Sequence, residues 1–272
     1  MQRLQLFLTG VLVFASFSMG GLAVAATAQP AQLIVPQLVS VADQKKCFED
    51  KGQEFCVEIN LSLETTALPW LDHALLRRLD LNEKKSEEQP ADISTHLKQI
   101  KQHADSLVAQ QYADIKAVRE SDDPYFIGYD TMESIRFIAQ RNNLASFKQF
   151  SYSFTGGAHG MHAQSYLLFD LNTQRQLLLA DILQPFAHMQ LFDALYERYQ
   201  QSYPDYAQNW LNESRSKQAQ ILLTDNFIFN DKGLTFSYPP YVLGPYAEGE
   251  VRLSLDYDQL QHIVKSAYFF DY

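Results

Sequence analysis

The residues that could do chemistry are concentrated in one short stretch, F-T-G-G-A-H-G at positions 154–160. Three glycines surround His159, and a second histidine, His162, follows shortly after. Histidine is the commonest metal ligand and a general base near neutral pH, while a glycine-rich loop can cradle a phosphate group. The stretch therefore allows three interpretations: a metal or catalytic site, a phosphate-binding loop, or a sharp bend between two strands.

A metal site or a phosphate site would require a helix that this stretch does not predict. The glycines before His159 and the run A-Q-S-Y-L-L-F after His162 indicate a strand, on which residues three apart point to opposite faces. A phosphate loop needs a following helix whose amide groups face the anion. The chain also contains neither a Gly-x-Ser-x-Gly nor a His-Glu-x-x-His motif. We therefore expect no catalytic residue, no metal ion and no cofactor.

The glycines have an explanation in the backbone alone. A strand that ends before them and another that begins after them need a reversal with positive φ, which glycine adopts without steric cost. We assign this structural role to Gly156, Gly157 and Gly160. The side chain of His159 is then a surface group, a buried hydrogen-bonding link between loops, or a contact residue for a partner.

A second loop-forming stretch, S-Y-P-P-Y-V-L-G-P-Y-A-E-G-E at 237–250, combines prolines and glycines with tyrosines and glutamates. Proline and glycine fix the shape of a loop, and tyrosine supplies a large contact area at low entropic cost, which suits a binding surface. Packing of the loop beneath a sheet is the alternative. The glycines predicted to shape this loop are Gly244 and Gly249. The predicted binding residues are His159, Tyr241, Pro245, Tyr246 and Glu248.

The two cysteines, Cys47 and Cys56, stand on either side of a turn-like Asp50-Lys51-Gly52. Opposed strands of a short hairpin would bring their Cβ atoms within disulfide range. Their spacing is not the Cys-x-x-Cys of redox motifs. We predict a structural disulfide, which would add about 2–3 kcal/mol by closing so short a loop.

The first 28 residues have the layout of a secretory signal peptide. Arg3 and the amino terminus provide positive charge, and an uncharged run, Leu4–Ala26, follows. The alternative is an uncleaved anchor, because this run is long enough to span a bilayer. We expect cleavage, which gives a periplasmic or secreted chain with no membrane span after processing. The candidate cleavage positions follow Ala25, Ala26 and Ala28.

The charge of the chain restricts its partners. With 22 basic and 32 acidic residues, the formal net charge is −10 at pH 7. Such a chain is poorly suited to binding nucleic acid or an anionic membrane, because both repel it. The negative field favours solubility, and it would also attract a cationic partner.

The hydrophobic pattern predicts an α+β fold with antiparallel sheets and packed helices. Residues 56–64 alternate as a half-buried strand. Asp92 begins a long helix with one apolar stripe. Asn142-Asn143 and residues 230–233 have the composition of hairpin turns.

We divide the chain after the signal peptide into two α+β domains, residues 29–150 and 151–272. The Cys47–Cys56 hairpin belongs to the first domain. Two histidines of the long helix, His96 and His103, lie off its apolar stripe, and we predict that both are exposed to solvent.

Several of these stretches together resemble the RsiV-like family of exported domains, across roughly residues 150–266. The region before it, from Cys56 to Phe150, is similar to the smaller α+β domain that commonly precedes this family. One departure is Gln174, where the family usually has glycine. The stretches that carry the resemblance are G-G-A-H-G (156–160), F-D-L-N-T (169–173), L-L-L-A-D-I-L (177–183) and G-L-T-F-S-Y-P-P-Y-V-L-G-P-Y-A-E-G (233–249).

The resemblance implies a binding module rather than an enzyme. The family includes the outer domain of an anti-sigma factor that senses lysozyme by binding it, and a domain that precedes a polysaccharide deacetylase. No catalytic residue of the family can be carried over to this chain. We expect a non-catalytic module of the cell envelope that binds a cationic, lysozyme-like protein or another envelope component. The alternatives are a hydrolase or deacetylase of envelope polysaccharide, with His159 and His162 in its site, and a structural partner of another envelope protein.

Overall fold

The computed structural model describes residues 32–81, 92–120, 128–208 and 214–269. These residues form an α+β fold with one six-stranded sheet, one three-stranded sheet and seven α-helices. The predicted signal peptide and the charged stretch after residue 81 lie outside the described residues. Among the residues described, no helix is both long enough and apolar enough to cross a membrane.

The six-stranded sheet has its strands in chain order. All of its neighbouring strands are antiparallel except β2 and β3, which pair in parallel. The exception arises because two helices, α1 (Pro69–Leu79) and α2 (Ile93–Glu120), connect these strands and return the chain in the same direction. The strands are β1 (Gln37–Asp50), β2 (Gln53–Thr65), β3 (Gly128–Arg141), β4 (Leu144–Phe154), β5 (Met161–Asp170) and β6 (Arg175–Leu177).

The alternating pattern predicted for β2 is confirmed. Val57, Ile59, Leu61 and Leu63 are fully buried and belong to a core shared with α1 and α2. Burial of such side chains stabilises the fold by about 1.5–3 kcal/mol each.

The predicted disulfide is also confirmed. Cys47 and Cys56 lie directly opposite each other in the β1–β2 pair and are joined. Lys51 and Gly52 both have positive φ, 50° and 80°, which is the geometry of a tight hairpin turn.

The prediction that His96 is exposed is wrong. His96 is 3% exposed, and its Nδ1 lies 3.0 Å from Nδ1 of His73 on α1. The error arises because α1 packs across α2 beside the apolar stripe and covers this position. Burial lowers the pKa of His96. His103 is partly exposed, and its Nδ1 lies 2.9 Å from Oδ1 of Asp80.

The three-stranded sheet is built from the last part of the chain, and it packs against α4. Leu191, Phe192, Leu195 and Tyr199 form the buried face of α4. The strands of this sheet are β7 (Phe227–Phe229), β8 (Gly233–Tyr238) and β9 (Val251–Asp256). The remaining helices are α3 (Leu179–Ile182), α4 (His188–Ser202), α5 (Pro204–Gln208), α6 (Arg215–Leu222) and α7 (Tyr257–Leu260).

Asn226, just before β7, connects the two sheets. Its side-chain amide donates to the carbonyl oxygens of Gln164 in β5 and Ser237 in β8, both at 2.9 Å. Its Oδ1 accepts from the backbone N–H of Tyr166 at 2.7 Å. The domain boundary predicted after residue 150 stays a prediction, and β4 runs through that position.

Candidate functional site

The two loops singled out in the sequence meet around the ring of Tyr246. The His159 ring stacks on it at a centroid distance of 4.3 Å, and the His162 ring stands edge-on at 5.9 Å. The Tyr241 ring lies 5.6 Å away on the same loop as Tyr246. We call these four side chains the aromatic surface. It joins the loop between β4 and β5, together with the start of β5, to the loop between β8 and β9.

One carbonyl group, that of Gly160, fixes the centre of the aromatic surface. Tyr246 Oη donates a hydrogen bond to it at 3.1 Å, and His159 Nδ1 donates to it at the same distance. His159 is exposed, and its hydrogen bond stays within its own loop, so it is not the buried hydrogen-bonding link that was one of its three possible roles. It contacts the other loop through its stacked ring, and its role as a contact residue for a partner stays a prediction. The two rings are thus held in place before any partner arrives.

The reversal predicted for the glycine-rich loop is confirmed at Gly156 and Gly157, where φ is 97° and 96°. Gly160 is required for a different reason. A Cβ atom there would lie 2.4 Å from the ring of Tyr152, so a side chain would push this ring aside.

The second loop contains the remaining predicted residues. Gly249, with φ of 72°, ends a short 3-10 turn formed by Tyr246–Glu248. Gly244 lies against this turn, since a Cβ atom there would be 3.5 Å from Cβ of Glu248. Pro245 is exposed and directly precedes the turn.

Tyr241 and Glu248 give the loop its accessible aromatic ring and its carboxylate. Tyr241 is 56% exposed and has a positive φ of 70°. The exposed Glu248 carboxylate accepts a hydrogen bond from Tyr206 Oη at 3.0 Å, which raises the pKa of Tyr206. The sequence does not predict this contact of Tyr206, because Tyr206 belongs to α5 and no periodic pattern connects α5 with this loop.

The two histidines face the same tyrosine, although a strand would have placed them on opposite sides. His159 precedes β5 and therefore does not follow its alternation. Among the described residues, the one set of three close metal-ligand atoms is that of Cys47, Glu54 and Cys56, and both cysteines belong to the disulfide.

Two family models match parts of the chain. Residues 48–162 match the model described as "Deacetylase PdaC", and residues 180–258 match the model described as "Protein of unknown function (DUF3298)". We call these two matched parts the PdaC-like region and the DUF3298 region. The predicted resemblance is thereby confirmed at the level of these families, and the lysozyme-sensing role stays a prediction. None of the curated proteins matches the chain.

Two solved structures show the same fold. The crystal structure of a DUF3298 family protein from Pseudomonas aeruginosa PAO1 has a TM-score of 0.60 at 18% identity, covering 89% of this chain and 99% of that one. A DUF3298 family member from Bacteroides fragilis NCTC 9343 has a TM-score of 0.62 at 19% identity, covering 86% of this chain and 95% of that one.

The aromatic surface draws on both matched regions. His159 and His162 fall at the end of the PdaC-like region. Tyr241 and Tyr246 fall within the DUF3298 region. A surface built in this way depends on the two regions being folded against each other.

Proposed function

We propose that this chain is an exported, non-catalytic binding module of the cell envelope, and that its partner is a cationic wall-degrading protein such as a lysozyme. The observation that carries the proposal is the aromatic surface, in which hydrogen bonds to Gly160 hold His159 and Tyr246 in place. Rings that are already ordered lose little conformational entropy on binding, and tyrosine is enriched at the energetic centres of interfaces.

The charge of the chain supports a cationic partner. The formal net charge is −10, and the exposed Glu248 carboxylate lies beside the aromatic surface, held by Tyr206. Complementary charge accelerates association and fixes orientation, while buried aromatic contacts supply most of the affinity. Attraction by charge alone would be weak at physiological salt, where the Debye length is about 8 Å.

The disulfide supports an exported location. Disulfides such as Cys47–Cys56 persist in oxidising compartments and are rare in the cytosol. The predicted signal peptide would deliver the chain to such a compartment.

The test is calorimetric titration of residues 29–272 with a cationic lysozyme, at ionic strengths of about 0.01 M and about 0.15 M. We expect saturable binding that persists at the higher salt concentration. Binding that disappears at the higher salt concentration would mean that the interaction is only nonspecific charge attraction. No binding at either salt concentration would exclude a lysozyme as the partner.

Two matched variants locate the contact. Tyr241→Ala removes an exposed ring and should weaken binding about tenfold or more. Phe186→Ala is the control, because Phe186 is also exposed, at 97%, and also has a positive φ, 65°. If Tyr241→Ala binds the partner as tightly as Phe186→Ala does, the partner contacts another surface. Tyr246→Ala should weaken binding at least as much as Tyr241→Ala, because it also removes the ring on which His159 stacks.

A further inference from the structure

A second groove lies outside the aromatic surface, between α1 and the turn that follows β5. It has a volume of about 520 Å³, within the range of about 300–1,000 Å³ typical of small-molecule sites. Three of the residues that line it are arginines, and none is acidic. The lining residues are Trp70, Ala74, Arg77, Arg78, Phe169, Gln174, Arg175 and Gln176.

One wall of the groove is the outer face of α1. Trp70, Ala74, Arg77 and Arg78 follow one another at helical spacing, so their side chains share one face. The opposite face of α1 is buried in the core through residues such as Leu75. On the groove side, Trp70 and Ala74 are only partly buried, and Arg77 and Arg78 are exposed, so this face remains accessible to a ligand.

The other wall is formed by Phe169 at the end of β5 and by the turn that leads into β6. Phe169 is buried, and the Trp70 ring packs edge-on against it at 6.2 Å. Gln174 has a positive φ of 53° in this turn, and Gln176 follows in β6. Both glutamines line the groove together with Trp70. Most of this wall lies between the two family matches, which end at residue 162 and begin at residue 180.

The arginines of the groove retain donors for a ligand. Arg77 is exposed and makes no hydrogen bond or ion pair with the residues described in the structure. Arg78 uses its Nε to donate to Gln149 at 3.3 Å, which leaves its two terminal nitrogens available. Arg175 is paired with Asp181 at 2.9 Å. The groove is thus a basic site on a chain whose net charge is −10.

We propose that this groove binds a saccharide that carries carboxylate groups. A guanidinium group matches a carboxylate with two parallel hydrogen bonds, a role open to Arg77 and Arg78. A sugar ring has an apolar C–H face that packs on an aromatic ring such as that of Trp70. Its hydroxyl groups exchange hydrogen bonds with amides such as those of Gln174 and Gln176. An inorganic anion would contact the arginines alone, because it has no apolar face that could pack on the indole.

This proposal is independent of the proposed lysozyme binding, because the groove and the aromatic surface share no residue. The Tyr241→Ala variant should bind the saccharide with unchanged affinity. Loss of saccharide binding in that variant would contradict the separation of the two sites.

The test is calorimetric titration of residues 29–272 with trigalacturonic acid and with neutral triacetylchitotriose. We expect the acidic trisaccharide to bind about tenfold more tightly or better. A further titration uses N-acetylmuramic acid, whose carboxylate belongs to a lactyl ether rather than to a uronic acid. Comparing it with trigalacturonic acid shows which type of acidic sugar the groove prefers, and binding of either one supports the proposal. Equal binding of the acidic and neutral trisaccharides, or no binding of any acidic sugar, would overturn the proposal.

Variants and a competitor locate the ligand. Arg77→Gln should weaken binding about tenfold, whereas Arg215→Gln, which alters an exposed arginine of α6, should leave it unchanged. Circular dichroism checks that both variants are folded. If equimolar inorganic phosphate displaces the trisaccharide, the groove is a simple anion site and the proposal of a saccharide site is refuted.

Discussion

Asn226 offers a sharp test of how the two sheets are held together. Its side chain makes three hydrogen bonds to backbone groups, two donated to Gln164 and Ser237 and one accepted from Tyr166. Replacing it with alanine removes all three at once. The groups on β5 and β8 would then have no side-chain partner at the place where the sheets meet.

The expected loss follows from the number of bonds. Each intramolecular hydrogen bond contributes about 0.5–1.5 kcal/mol net. Asn226→Ala should therefore lower the free energy of unfolding by about 2–4 kcal/mol, which is a large part of the 5–15 kcal/mol typical of a domain. Asn226→Asp distinguishes the two donated hydrogen bonds from the accepted one, because a carboxylate can accept but cannot donate. Its carboxylate can still accept from Tyr166, but it places negative charge against two carbonyl oxygens. We expect it to be at least as destabilising as alanine at neutral pH.

The assay is urea unfolding followed by circular dichroism, with free energies taken from the linear dependence on denaturant. Asn172→Ala is the control, because Asn172 is exposed, and such surface changes stay within about 0.5 kcal/mol. The reasoning would be refuted by a loss below about 0.5 kcal/mol for Asn226→Ala, or by an aspartate variant more stable than the alanine variant at neutral pH.

Two further predictions concern the disulfide and the buried histidine. The Cys47→Ser/Cys56→Ser double variant should lose about 2–3 kcal/mol, since it frees a short closed loop in the unfolded chain; an unchanged urea midpoint would contradict this. Because burial lowers the pKa of His96 in the folded state, the unfolded chain binds its proton first, and stability should fall as pH drops below about 6.5. The urea midpoint should therefore depend less on pH in His96→Gln than in the wild type. An equal pH dependence in both proteins would show that His96 is not the cause.

The local structure was predictable where one residue pattern decides it. The alternation in β2 depends on Val57, Ile59 and Leu61 alone, and it predicts both the strand and its buried face. The turn at Lys51-Gly52 and the disulfide follow from neighbouring residues in the same way.

Features that depend on distant residues were not predictable. His96 is buried by α1, and the sequence of α2 does not contain that information. Tyr206 reaches Glu248 across a separation of 42 residues, and Asn226 reaches β5 across about 60. The sequence did indicate the two loops of the aromatic surface, through their glycines and tyrosines, but not that they meet at Tyr246.

The single parallel pair, β2 with β3, has a consequence for how the chain folds. The hairpins β1–β2 and β3–β4 join residues that are close in sequence, so they can form early and independently of each other. Pairing of β2 with β3 instead requires closing the whole stretch from residue 66 to residue 127, and the helices that stabilise it lie inside that stretch. Closing a long loop adds little to the free-energy cost of folding, but it slows the formation of contacts between residues distant in sequence. We therefore expect docking of the two hairpins, with α1 and α2 packing over them, to be the slowest step of folding.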